Sequence, residues 1–508
     1  MARYFKYKSP DDVVADAKSL GLDVAMSGDF SVLFQPIQIG NLRVGNRLAI
    51  HPMEGCDGTL DGRPDELTYR RYVRFGSGGS KLIWGEATAV CDEGRANTRQ
   101  LWIAEHTLSD LERMLRQCRE AHIATFGAGC DRDLVIGLQL THSGRYSVRR
   151  PLIAMHDPLL DPLIKDKATG SAIDDSYPTL TDDNLKRLED QFVVAAKLAA
   201  KIGCDFIDLK QCHRYLLSEL LAAKIRPGAY GGSLENRTRL VRNIVGRIRS
   251  EVPGLLIATR MNAYDGIPYR VSPPSEGGAG GVTNQLLPPE EGSGVRERVT
   301  SVNSDRDRVG HPVPHTLPIR TAFGVSAHDH LIDDLTEPLQ VARWLRDWGV
   351  ELINISMGNP YANPHVVRPA EFPPVDGYHA PEHPLIGVAR HFRIARAIQA
   401  AVPDVPVIGG GYSWLQDFAA HAAAANVAAG HVAIVGFGRA TLSHPDFAKA
   451  LHDEGRFDRK QICRTFSYCT GLMRAKHHPT GQFPTGCPPF DKDVYGPIWK
   501  EVEATRPS

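Results

Sequence analysis

The run Lys210-Gln211-Cys212-His213-Arg214-Tyr215 places an ammonium, an imidazole and a phenol at the end of the short stretch Phe206-Ile207-Asp208-Leu209. A phenol held at a strand end is able to donate a proton, and a cation beside an imidazole is able to hold an electron-withdrawing oxygen of a substrate. Taken alone, the run reads better as solvated loop residues, so its place in the fold decides. Two glycine clusters raise a second chemistry: Gly409-Gly410-Gly411 and Gly436-Phe437-Gly438-Arg439. Glycine lets backbone N–H groups approach an oxyanion, and an Arg adds a bidentate charged contact. Either cluster by itself more often only reverses the chain. Gln139 closes one apolar run with an amide that both donates and accepts, and Arg260 lies within the run Ile257-Ala258-Thr259-Arg260-Met261-Asn262. A guanidinium in such a run is costly to bury unpaired, so it requires a ligand or a carboxylate, for instance Glu86. The residue alone leaves these two readings even.

The elements that must position these residues follow from periodicity. Short apolar runs near Leu48–Met53, Lys81–Ala87, Val135–Thr141, Phe206–Lys210, Leu256–Met261, Leu352–Ser356, Val405–Gly409 and Val432–Gly436 read as strands. Segments of helical period lie between them, among them Thr181–Lys201, Leu234–Glu251, Pro338–Trp348 and Trp414–Ala428. Eight such units predict an α/β fold closed as a (β/α)₈ TIM barrel. An open doubly wound sheet needs a Gly-rich fingerprint after its first strand, and His51-Pro52-Met53-Glu54-Gly55 is not one. We expect an N-terminal extension over residues 1–30, a barrel over 31–455 and a C-terminal tail over 456–508 that packs on it. The stretch 267–330, rich in Gly, Pro and charge, follows the fifth strand and reads as a low-complexity insertion or a lid.

A barrel of this kind places its site at the carboxyl ends of the strands and its phosphate cradle after strands seven and eight. Both glycine clusters fall there, and so does Lys210 to Tyr215 at strand four. A flavin needs donors and acceptors along its pyrimidine edge and positive charge where reduction builds negative charge. Gln139 and Arg260 stand where such groups are needed.

Composition narrows the partners. Lys plus Arg and Asp plus Glu each total 59, a formal net charge of zero, and no basic run marks a nucleic-acid or anionic-membrane surface. A small-molecule substrate is the expectation, with no nucleic acid and no membrane as partner, and a homo-oligomer is left open. Nine scattered cysteines, an odd number, suit reduced cytoplasmic thiols better than a disulfide framework. The first 30 residues carry no secretory core, and no apolar run is long enough to span a bilayer.

Ordered motifs carry a resemblance. Leu33-Phe34-Gln35-Pro36, Gly40-Asn41-Leu42, Asn46-Arg47, Pro52-Met53, Gln139-Leu140-Thr141-His142-Ser143-Gly144-Arg145, Tyr230-Gly231-Gly232-Ser233-Leu234-Glu235-Asn236-Arg237 and Gly438-Arg439 resemble the successive signatures of the old yellow enzyme family, the NADH:flavin oxidoreductases. The resemblance runs from about Val32 to Leu451, apart from the insertion. It implies FMN as cofactor and NADH or NADPH as electron donor. By the same resemblance His51, Pro52, Met53, Glu54 and Ala87 line the flavin ring, Gln139 and Arg260 bond its pyrimidine edge, and Gly410, Gly411, Gly438 and Arg439 hold its phosphate. It implies that His213 orients a substrate carbonyl and that Tyr215 protonates the product carbon. The reaction implied is NAD(P)H-linked hydride transfer from reduced flavin to an activated C=C bond of an enone or unsaturated acid.

Two positions depart from the family. Lys210 stands where a His is usual, and a compact, strongly hydrated cation favours a carboxylate or enolate oxygen over a neutral enone. Glu54 stands where Thr or Cys is usual, and an ionised carboxylate there lowers the flavin potential. The alternatives are a flavin dehydrogenase or demethylase running in the oxidative direction and a non-catalytic FMN-binding protein. Larger relatives carry a four-cysteine iron–sulfur cluster after the barrel. Cys463, Cys469 and Cys487 lack that spacing and the fourth ligand, so no metal is expected. With few residues after Cys487, no second nucleotide-binding domain like that of those relatives is expected.

Overall fold

A computed structural model describes residues 4–271, 308–374 and 377–506. Its centre is a closed barrel of eight parallel strands: β1 (Leu48–Ile50), β2 (Leu82–Ala89), β3 (Val135–Thr141), β4 (Phe206–Gln211), β5 (Leu256–Tyr264), β6 (Leu352–Met357), β7 (Val407–Gly409) and β8 (Ile434–Phe437). Neighbours pair in chain order and β8 closes on β1. A helix follows each strand: α1 (Glu66–Ser77), α2 (Leu108–Phe126), α3 (Asp182–Lys201), α4 (Arg239–Glu251), α5 (Thr336–Trp348), α6 (Pro384–Ala401), α7 (Ala419–Ala428) and α8 (Phe447–Glu454). The expected (β/α)₈ class is the one observed.

Two apolar layers hold this arrangement. The larger lies between strands and helices, where faces such as Leu240, Val241, Ile244, Val245 and Ile248 of α4 are buried; their three- and four-residue spacing makes one stripe of the helix apolar. The smaller fills the lower barrel interior with Ala49, Leu82, Trp84, Val135, Phe206, Leu256, Ala258, Leu352, Ile408 and Ile434. Ile39 and Val44 of an antiparallel hairpin, Ile37–Ile39 with Leu42–Val44, join this plug and close the amino-terminal end. Because strand side chains alternate, residues two or four positions beyond a plug residue point from the same face into the upper barrel. That rule carries Lys210, Arg260 and Asn354 to one level, where the register pairs Lys210 with Arg260 and Arg260 with Asn354. A bulge between Gly85 and Ala87 re-phases β2 and sets Ala87 beside Gln139.

Some elements differ from the periodicity. The segment read as one helix, Leu234–Glu251, is a turn of helix, Leu234–Arg237, that breaks at Thr238 before α4. The expected helix from Trp414 begins as a 3₁₀ segment, Tyr412–Phe418, interrupted by Gln416 at φ 47°. Of the stretch 267–330, residues 272–307 lie outside the described residues. Its flanks pair as a hairpin, Tyr269–Val271 with Gly310–Pro312, and Ile319, Ala322, Phe323 and Val325 are buried against the barrel. The tail places Thr485 N 2.7 Å from Gly55 O, and its Asp491 bridges Arg70 and Arg74 of α1.

Candidate active site

One cleft at the carboxyl ends of the strands, about 1270 Å³ including the part open to solvent, is lined by every site residue named from the sequence. His51 to Glu54 enter it from the end of β1, Ala87 from β2, Gln139 from β3, and Lys210, His213 and Tyr215 from the end of β4. Arg260 enters from β5, Gly410 and Gly411 follow β7, and Gly438 with Arg439 follow β8.

The polar wall at β4 is tightly coupled. The Lys210 ammonium lies 3.6 Å from the centroid of the Tyr215 ring, and among the described residues it forms no ion pair. Tyr215 Oη lies 3.3 Å from Glu54 Oε2 and 3.0 Å from Tyr361 Oη, and the other Glu54 oxygen accepts from the Asn97 amide. Burial holds the Lys210 ammonium below its usual range and pushes the Glu54 carboxyl up, although each pulls the other the opposite way. Desolvation therefore outweighs their mutual attraction. Burial, then Glu54 and Tyr361, raises the Tyr215 phenol far above its usual range. His213 adopts φ +66° and Arg214 φ +59°, a sparsely populated region for residues with a Cβ. Arg214 stabilises that turn by bonding Asp157 at 2.5 Å and Asp265 at 3.0 Å. His213 Nε2 lies 3.0 Å from Ser356 Oγ, and burial beside Arg260 and Lys210 keeps the ring neutral near pH 7.

The floor is organised by Asp208. Its carboxylate accepts from Gln139 Nε2 at 2.6 Å, Trp84 Nε1 at 2.7 Å and the Arg260 backbone N–H at 2.6 Å. Burial raises its pKa to about 6 despite these donors. The Gln139 amide nitrogen is thus engaged within the barrel, and the amide oxygen remains for a ligand. Arg260 does not pair with Glu86: that carboxylate is held by Arg71 at 2.5 Å and by Gly55 N–H at 2.9 Å. The bulge in β2 turns Glu86 outward to α1, which is why the internal ion pair fails. The nearest protein acceptor for the Arg260 head is Pro52 O at 3.5 Å, and its buried Nε has no partner among the described residues. His51 Nδ1 lies 3.0 Å from the Asn354 amide nitrogen, while its buried Nε2 has no hydrogen-bond partner in good geometry among the described residues. A Cβ at Gly436 would overlap the His51 ring, so that position requires glycine.

At the far end of the cleft two guanidiniums lie close together. Arg439 donates to Thr470 Oγ1, and Arg368 donates to Ser467 Oγ at 2.5 Å, leaving its buried Nη1 without a partner. Neither is ion-paired to a carboxylate among the described residues. Burial and the neighbouring Arg368 hold the Arg439 guanidinium well below its usual range, which marks a site short of negative charge. Gly411, at φ +90°, opens the β7 loop beside them.

Comparison with known proteins follows from this geometry. The model of the NADH:flavin oxidoreductase / NADH oxidase family matches residues 32–272. An NADPH dehydrogenase of Geobacillus sp. strain WCH70 is 27% identical over 350 residues, 65% of this chain and 92% of that protein. The old yellow enzyme homologue from Zymomonas mobilis superimposes with a TM-score of 0.56 at 18% identity, over 85% of this chain and 95% of that one. Over those residues the chain is similar to the NADH:flavin oxidoreductase / NADH oxidase family, and its fold is that of the old yellow enzyme homologues. An NADH:flavin oxidoreductase of Gibberella zeae is 28% identical over 253 residues, covering 47% of this chain and 58% of that protein.

The family's cofactor is FMN, with NAD(P)H as the source of electrons, and the cleft of this protein fits it. A phosphate would neutralise the two arginines. The unpartnered buried nitrogens of Arg260 and His51 supply donors at the floor. Several cleft residues escaped the sequence reading. Asp208 had a signal, since polar residues two apart in an apolar strand, Asp208 and Lys210, share one face. Tyr361 and Arg368 lie between β6 and α6 in a connection without periodicity, and Cys469, Thr470 and Met473 come from the tail. Nothing in their local sequence distinguishes them.

Proposed function

We propose that this protein is an NAD(P)H-linked reductase of activated carbon–carbon double bonds, of the enone or unsaturated-acid type, with an anionic or enolising oxygen set against Lys210. Bound in the cleft, FMN supplies the two-electron reducing chemistry. His51, Pro52, Met53, Glu54 and Ala87 line its ring, Gln139 and Arg260 serve the pyrimidine edge, and Gly410, Gly411, Gly438 and Arg439 with Arg368 hold the phosphate. Lys210 and neutral His213 orient the acceptor oxygen and draw electron density from the double bond. Tyr215 donates its phenolic proton to the product carbon, and its high proton affinity keeps it protonated until that step. The observation that carries this reading is the grouping of Lys210, His213 and Tyr215 at one strand end, with the ammonium 3.6 Å from the phenol ring centroid.

The test is Tyr215→Phe in the FMN-loaded protein. Flavin reduction by NAD(P)H should persist while turnover of an activated alkene falls about 10²–10⁴-fold. Equal turnover by the variant would remove Tyr215 from the role of proton donor.

A further inference from the structure

Once Tyr215 gives up its proton it is left as a buried phenolate, 2% exposed, and must be reset before the next turnover. Its hydroxyl has two protein neighbours, Glu54 Oε2 at 3.3 Å and Tyr361 Oη at 3.0 Å. Glu54 is able to lend a proton, yet its remaining neighbours are the amide of Asn97, itself 2% exposed, and the cleft that the cofactor fills. Tyr361 lines the same cleft and is 37% exposed, so it offers the Tyr215 hydroxyl a second exit toward water. Its geometry is fixed. The Tyr361 backbone N–H donates to Asn359 Oδ1 at 2.9 Å, and Asn359 bonds the Tyr146 hydroxyl. The Tyr361 ring packs 4.3 Å from that of Tyr146 and lies within 11° of parallel to that of Tyr215.

We propose that Tyr361 is the outer member of a two-phenol relay that returns a solvent proton to Tyr215 after each turnover. This rests on Tyr215 being the proton donor. As the C–H bond forms on the substrate, the Tyr215 O–H bond breaks. The Tyr361 O–H bond then breaks as the Tyr215 O–H bond re-forms, and Tyr361 takes a proton from water. No electrons move in the relay, and burial raises the proton affinity of both phenols.

The experiment mixes pre-reduced, FMN-loaded enzyme with cyclohexenone or cinnamate in weak buffer. It follows flavin absorbance and a pH-indicator dye together. In the wild type, proton uptake should coincide with flavin reoxidation. In Tyr361→Phe the first reoxidation should stay within about two-fold, while proton uptake slows at least about ten-fold. Tyr361→His should restore it. A substrate-free readout accompanies this: ultraviolet difference titration of the FMN-loaded protein, wild type against Tyr215→Phe, isolates the Tyr215 phenol. Tyr361→Phe removes a group that raises the Tyr215 phenol and leaves Lys210 and Glu54 in place, so the Tyr215 titration should move to lower pH. Proton uptake in Tyr361→Phe that still coincides with reoxidation, or an unmoved Tyr215 titration, would overturn the relay. Reoxidation of Tyr215→Phe at the wild-type rate would instead overturn the proton-donor reading beneath it.

Discussion

Lys210 packs over the Tyr215 ring and Glu54 lies beside its hydroxyl, and burial drives both toward their neutral forms. Removing the cation by Lys210→Met should raise KM for an unsaturated acid more than for a neutral enone, because only the former loses a charge partner. Steady-state kinetics on the two substrates measures that split, and equal losses would contradict it. Glu54 carries a pH dependence whose sign follows from its raised pKa: the carboxyl is neutral at lower pH and ionises as pH rises through its folded value. Only the ionised form repels the negative charge that reduction places on the ring. The midpoint potentials of wild type and Glu54→Gln should therefore coincide at low pH and separate as pH rises, with the wild type lower. Spectroelectrochemistry across pH checks this. These two residues were legible because they break a family pattern. Tyr361 was not, because a lone Tyr between Pro360 and Ala362 carries no period and no motif.

At the scale of elements, all eight strands were readable from short apolar runs, because a strand buried on both faces is apolar throughout. Their ends were less exact: β1 stops at Ile50 rather than Met53, since His51 already faces the cleft. The β2 bulge was not readable, and it decides that Glu86 serves Arg71 rather than Arg260. The turn after β4 depends on Arg214, whose guanidinium is shared by Asp157, Asp265 and the carbonyl of Thr321. Arg214→Met would leave two buried carboxylates without their cation, a loss of about 3–5 kcal/mol. Urea unfolding of the FMN-free protein should show it, and a change under about 1 kcal/mol would mean that the turn is held by other contacts.

For the whole molecule, the barrel, its carboxyl-end loops and the tail together shape a cleft with excess positive charge at one end. Arg368 and Arg439 are half-buried without carboxylate partners among the described residues, so folding without a phosphate carries an electrostatic cost that ligand binding relieves. Arg368→Gln should weaken FMN binding by about 10–100-fold while leaving the FMN-free protein no less stable in thermal unfolding. A structural role for Arg368 would lower both together. The most direct test of the central claim is anaerobic titration of the FMN-loaded protein with NAD(P)H, followed at the flavin absorbance, and then addition of an activated alkene. The account predicts bleaching by the nicotinamide and return of the oxidised spectrum with the alkene in the absence of oxygen. Protein that takes up no FMN, or bound FMN that neither NADH nor NADPH bleaches, would contradict it.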